Sequence, residues 1–129
     1  MQLPTTIDEV LSELDHIIDV SVAENNSMAI FAYVYRRTTA EIKKNVQAGV
    51  FDDNERMEQF DVRFANYYIQ AWHDYRNNKP VSAAWKTAFD GSKEPLCIVQ
   101  HIMLGMNAHI NLDLGVTAAT VAEHTPLVD

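Results

Sequence analysis

Cysteine is almost missing from this chain: Cys97 is the only one. That excludes an intramolecular disulfide and any cysteine-based zinc cluster, and a lone thiol suits a reducing compartment. Glycine and proline are also scarce, four of each. Long stretches between such breakers favour helix over a many-turned β fold. Positive charge is short as well. Ten Lys and Arg stand against eighteen Asp and Glu, a net charge of −8. That balance argues against nucleic acid or an anionic membrane as the main partner. The opening residues show no basic segment followed by an apolar run, so no signal peptide is visible and the cytoplasm is the expected location. The most apolar stretch, 96–115, is interrupted by Gln100, His101, Asn107, His109, Asn111 and Asp113. It is too polar at its centre to span a membrane. No Ser or Cys nucleophile motif, phosphate-binding glycine loop or dinucleotide fingerprint is present.

What is present is a helical pattern. A chain of 129 residues, 47% apolar, is sized for one domain with one core. Thr5 or Thr6 can cap a first helix, with Asp8 and Glu9 in its opening turn. Ile7, Val10, Leu11, Leu14, Ile17 and Ile18 carry it to about Glu24. Ser27 can cap a second helix from about Met28 to Ala48, with Gly49 at its C′ position. The first half of that helix is nearly all apolar and is expected to be buried. Asp53 or Asn54 can cap a third helix to about Tyr75. Ser82 can cap a short fourth one through about Phe89. Pro95 sits where a fifth helix, reaching about Glu123, would tolerate it. The expectation is an all-α, single-domain bundle of about five helices, spanning residues 1–129. Thr125-Pro126 then reads as the cap and first residue of a sixth helix that stops after Asp129.

The fifth helix is unusual. His101, Gly105, His109 and Asp113 recur at steps of four and form one slanted stripe. His109 and Asp113 are i,i+4 neighbours and can converge on one point. His101 lies two turns, roughly 12 Å, away along the axis. Gly105 lets a ligand or another helix approach the backbone. Asn107 and Asn111 form a second i,i+4 pair on a different side. Lys and Arg are absent from this stretch, which reads as a central helix whose polar groups are buried and need partners. Two accounts stand side by side. In one, His109 and Asp113 ligate a divalent metal, since imidazole and carboxylate suit zinc, manganese or iron. In the other, the two His, two Asn and Asp113 satisfy buried groups and hold the helix in register.

Other helices offer possible partners. Asp61 sits among Phe60, Val62 and Phe64. It is expected to pair with Arg36 or Arg37 in a core ion pair. It is also the first choice for a ligand carboxylate from outside the polar helix. His16 reads as a partly exposed flank histidine, and His73 as solvated. Tyr68 reads as a core residue with a satisfied hydroxyl. Arg36, Arg37, Lys43 and Lys44 read as a solvated face. Cys97 reads as an inert buried thiol.

The string QHIMLGMNAHINLDLG, Gln100 to Gly115, resembles the hallmark of an uncharacterised bacterial domain family. The likeness extends to Tyr35-Arg36-Arg37-Thr38, to the stretch Gly49–Asp53, to Arg56-Met57-Glu58, to Asp61-Val62 with Phe64-Ala65, and to the stretch Trp85–Phe89. It implies an all-helical fold and marks Arg37, Asp61, His101, Asn107, His109, Asn111 and Asp113, but it implies no reaction. Members of that family are longer, so the resemblance implies that this chain is an N-terminal portion. A second copy could then supply the packing partner that the polar helix lacks.

Two functions follow as expectations. One is a cytosolic protein with a metal site at His109 and Asp113 and a small-ligand site drawing on Asp61, His101, Asn107 and Asn111. Metal-assisted hydrolysis is the reaction class to try first. The other is a non-enzymatic helical module, with a structural polar network, that acts as a homo-oligomer.

Overall fold

The computed structural model describes residues 2–94 and 98–123, without the side chains of 122 and 123. Pro95, Cys97, His124 and Thr125-Pro126 lie outside the described residues, and so do the expectations placed on them. The described chain is helical, with no strand among the described residues: α1 (Ile7–Ala23), α2 (Met28–Gln47), α3 (Asn54–Arg76), α4 (Ala83–Gly91), α5 (Ile98–Met106) and α6 (Leu114–Glu123). A π-helical segment, Asn107–Asp113, joins α5 to α6 without a break. This is the expected all-α bundle.

Local chemistry explains the helix ends. The Thr6 side chain accepts the Glu9 N–H, Asp53 accepts that of Arg56, and Ser82 accepts that of Trp85. Each satisfies a backbone donor that the first turn leaves free. Ser27 differs from expectation. It makes no side-chain cap bond, and the Asn26 Oδ1 accepts the Met28 N–H instead, at 2.8 Å. Gly49 takes φ 71°, the left-handed conformation that ends α2.

α1 and α2 pair antiparallel. Asp8 meets Lys43 and Asp15 meets Arg36, so a step of seven up α1 matches a step of seven down α2. Two of the four basic residues of α2, Arg36 and Lys43, are thus partnered by acids of α1. The first half of α2 is not wholly buried, contrary to expectation. Phe31, Ala32 and Tyr35 face the core, while Tyr33 and Val34 point outward. One side of the helix already meets α1, α3 and α5, and no described element covers the other.

The core gathers Leu14, Ile17, Phe31, Tyr68, Ile69, Trp85 and Phe89, all nearly solvent-free. The last helical rod packs on α2, α3 and α4. Gly105 is what permits the α2 contact. A β-carbon there would lie 2.6 Å from the Phe31 ring. No helix among the described residues is long and apolar enough to cross a membrane.

The π segment solves a register problem. In a straight α-helix, steps of four drift about 40° each, so a long row would wind off the core. A π turn takes one more residue per turn, so a step of four falls back the other way. The Leu114 N–H reaches the His109 carbonyl, the i→i+5 bond of that turn. As a result His101, Gly105, His109, Asp113 and Thr117 all stay buried on one side.

Candidate functional site

The buried side of that row holds the polar centre of the molecule. The His109 ring is fully buried. It stacks on Phe64 with centroids 3.8 Å apart and planes 5° apart. Tyr35 meets it edge-on at 4.6 Å, and Tyr68 and Trp85 complete the cage. Its Nδ1 lies 2.9 Å from Asp113 Oδ2. The same oxygen accepts the Trp85 indole N–H, also at 2.9 Å. Tryptophan can only donate and a carboxylate can only accept, so Asp113 is the acceptor for both neighbours. Burial holds the imidazole below its ordinary pKa, against the opposing pull of Asp113. The ring is therefore neutral at pH 7 with its proton on Nδ1, and Nε2 carries the lone pair.

That lone pair has no partner. His109 Nε2 is buried without a hydrogen bond, as are the Tyr35 and Tyr68 hydroxyls and Asp61 Oδ2. Burial raises both tyrosines above their ordinary values, for Tyr35 with added help from the nearby Asp61 carboxyl. Asp61 rises from 3.8 to about 6, first by burial and then by repulsion from Glu58. A buried group without a partner forfeits roughly 1–3 kcal/mol. Four such groups lie on α2, α3 and the π segment.

The residues singled out from sequence separate into two sets. His109 and Asp113 do come together, as their spacing implied. Asp61 is buried but does not pair with arginine. Arg36 is taken by Asp15, and Arg37 is exposed. His101 is buried on the same row, yet none of the described hydrogen bonds links it to His109. Asn107 and Asn111 are exposed, which corrects the expectation of buried partners. They bond to each other, Asn111 Nδ2 donating to Asn107 Oδ1 at 2.8 Å.

Three smaller expectations change too. The Tyr68 hydroxyl is unsatisfied rather than satisfied. His73 is half-buried, with Nε2 3.3 Å from Glu13, rather than solvated. His16 is exposed as expected, its ring edge-on to Trp72. Among the described residues no group of three His, Cys, Asp or Glu side chains is arranged to hold a metal ion. Asp113 Oδ2 already accepts two donors, so this carboxylate orients the histidine.

Trp85 was missed by sequence reasoning as the third member of this network. It lies 28 residues from Asp113, and no periodicity connects them. The Phe64 face and the Tyr35 edge were visible only as core aromatics.

A model of DUF5995, a family of unknown function, matches residues 7–129. The chain belongs to DUF5995. No curated protein and no solved structure matches it. Within this DUF5995 chain, the His109–Asp113–Trp85 network ties α4 to the last helical rod. The expected resemblance to an uncharacterised family thus stands, and it brings no reaction with it.

Proposed function

We propose that this chain is a non-enzymatic helical module that pairs with a second copy of itself through the outward face of its last helical rod. The carrying observation is what that face displays. Val99, Met103, Met106 and Ile110 are 61%, 62%, 46% and 42% exposed. Between Ile98 and Val121 the only ionisable residues are His101, His109 and Asp113, and all three are buried. The face is therefore uncharged and mostly apolar, its exposed apolar side chains running from Ile98 to Val116. On a chain carrying −8 it is a surface on which two copies can meet without repulsion.

Its pattern suits a two-fold partner. The Asn107–Asn111 pair sits at the middle of the rod, flanked by apolar arms. An antiparallel copy would set its own amides opposite these and its arms against the arms. Buried amides in an apolar seam fix register, as a single Asn does in coiled coils. On this reading the buried network serves to hold the rod in place.

Sedimentation of the purified chain tests this. The expected result is a dimer, reduced to a folded monomer by Met103→Glu with Ile110→Glu. A wild-type chain that stays monomeric at high micromolar concentration overturns the reading.

A second reading rests on the unpartnered His109 Nε2 beside the rings of Tyr35 and Tyr68, with Asp61 acting on Tyr35. There a small hydrogen-donating ligand, or a divalent zinc, manganese or iron ion, takes that lone pair. The metal form needs more donors than the described side chains bring together. Elemental analysis of untagged protein, with thermal shift on adding each ion, decides it. Stoichiometric metal would support this form. Absence of metal and of any shift would remove it.

A further inference from the structure

The charge of this chain is unevenly spread. A cleft of about 870 Å³ opens where the ends of α1 and α3 meet α4. Arg76, Lys79, Lys86 and Lys93 all line it, four of the ten cations in the chain. Glu24 and Asp90 are the only carboxylates among its lining residues. Glu24 takes Arg76 through two bonds of 2.6 and 2.7 Å. Asp90 takes Lys86 at 2.8 Å and accepts the Tyr75 hydroxyl at 2.6 Å. Among the described residues Lys79 and Lys93 have no carboxylate within ion-pair reach. The cleft thus sets four cations against two carboxylates, a local excess of positive charge on a strongly acidic molecule.

Its walls are not all polar. Tyr75, Pro80 and Val81 line it as well. The Lys93 ammonium lies 5.2 Å from the centroid of the Tyr75 ring. Tyr75 is the leading described partner of that ammonium, and the Asp90 carboxylate adds a weaker attraction. An anion that drew Lys93 away would expose the ring to a planar group. The size falls in the range of small-molecule sites. The net charge of −8 does not forbid an anion here, because at physiological salt charges beyond about 8 Å are largely screened.

We infer that this cleft binds a small phosphorylated ligand with a planar body, the phosphate between Lys79 and Lys93 and the planar group on Tyr75. A phosphate dianion matches the excess of two positive charges in the lining, and a bare planar molecule leaves that excess unmatched.

Adenosine 5′-monophosphate serves as the probe, titrated by calorimetry and by chemical-shift mapping. The expected result is saturable binding, with a Kd below about 1 mM. Shifts should centre on Tyr75, Lys79 and Lys93. Lys79→Gln with Lys93→Gln should weaken binding at least about tenfold. Arg37→Gln with Lys44→Gln removes the same charge from α2 and should leave binding unchanged. Adenosine without phosphate should not bind, and inorganic phosphate should bind more weakly than the probe. The inference is overturned by no saturation at millimolar probe, or by equal losses in both double variants. Phosphate binding as tightly as the probe would also overturn it, by removing the role of Tyr75.

Discussion

The indole N–H of Trp85 and the carboxylate of Asp113 meet at 2.9 Å across 28 residues of chain. Through that bond the short helix α4 is keyed to the π segment. Both groups are buried, so neither can exchange its partner for water. Trp85→Phe keeps an aromatic ring in the cage, deletes the donor and removes one ring of the buried indole. It should cost at least about 1.5–3 kcal/mol, the range for hydrogen bonds to charged groups, with the lost packing added to it. Chemical denaturation checks this, with the midpoint falling and the slope unchanged. An unaltered midpoint would show the bond to be energetically idle.

The two glycines of the last rod should respond with opposite signs. Gly105→Ala forces a methyl to within 2.6 Å of the Phe31 ring, which cannot swing aside in a packed core. Overpacking of this kind costs about 1–3 kcal/mol. It outweighs the helix-propensity gain of about 1 kcal/mol. At Gly115 nothing lies within 4 Å of the added carbon. Gly115→Ala should therefore stabilise by up to about 1 kcal/mol. Thermal melts of the two variants against wild type are sufficient.

Asp61 weakens the fold at neutral pH. Its pKa is raised in the folded state, from 3.8 to about 6. The folded chain therefore binds the proton more tightly, and stability falls as pH rises from about 4 to about 6. Asp61→Asn removes the charge and keeps the shape. At pH 7.5 it should raise stability by about 2–3 kcal/mol, at 1.36 kcal/mol per pKa unit. Near pH 4 the gain should vanish. A variant equally stable, or less stable, at pH 7.5 would mean that Asp61 has a partner in solution.

His109 acts in the opposite sense. Its folded pKa lies below its ordinary 6.5, so the unfolded chain binds the proton more readily. The histidine's contribution is full above pH 6.5 and is lost as pH falls toward the folded value. His109→Phe abolishes this term. The stability of wild type relative to the variant should thus be larger at pH 8 than at pH 5.5. A difference independent of pH would show that the imidazole does not titrate between the two states.

Much of this was legible in the chain itself. The caps Thr6, Asp53 and Ser82 each announce a helix start because a short polar side chain precedes an apolar 3–4 spacing. The pairing of His109 with Asp113 follows from four-residue spacing on any helical backbone. The fate of Asn107 and Asn111 was not legible. They share spacing and surroundings with the histidines, and only the packing of α2, α3 and α4 decides which side of the rod faces inward. The isolation of Asp61 was equally hidden. An arginine one helix away looked available, and α1 took it through Asp15.

Sequence alone determined that the described chain is helical, where three of its helices are capped, and that one helix mixes histidine, amide and acid without any lysine or arginine. Those are local matters, set by caps, breakers and periodicity over a few residues. Tertiary structure decided the rest. The π turn keeps a five-residue row buried where a plain α-helix would have turned it out. Trp85 arrives from a separate helix to share Asp113 with His109. Four cations from α3, α4 and their flanking loops converge on one cleft of an acidic protein. Each of these depends on residues far apart in the chain, and only packing brings them together.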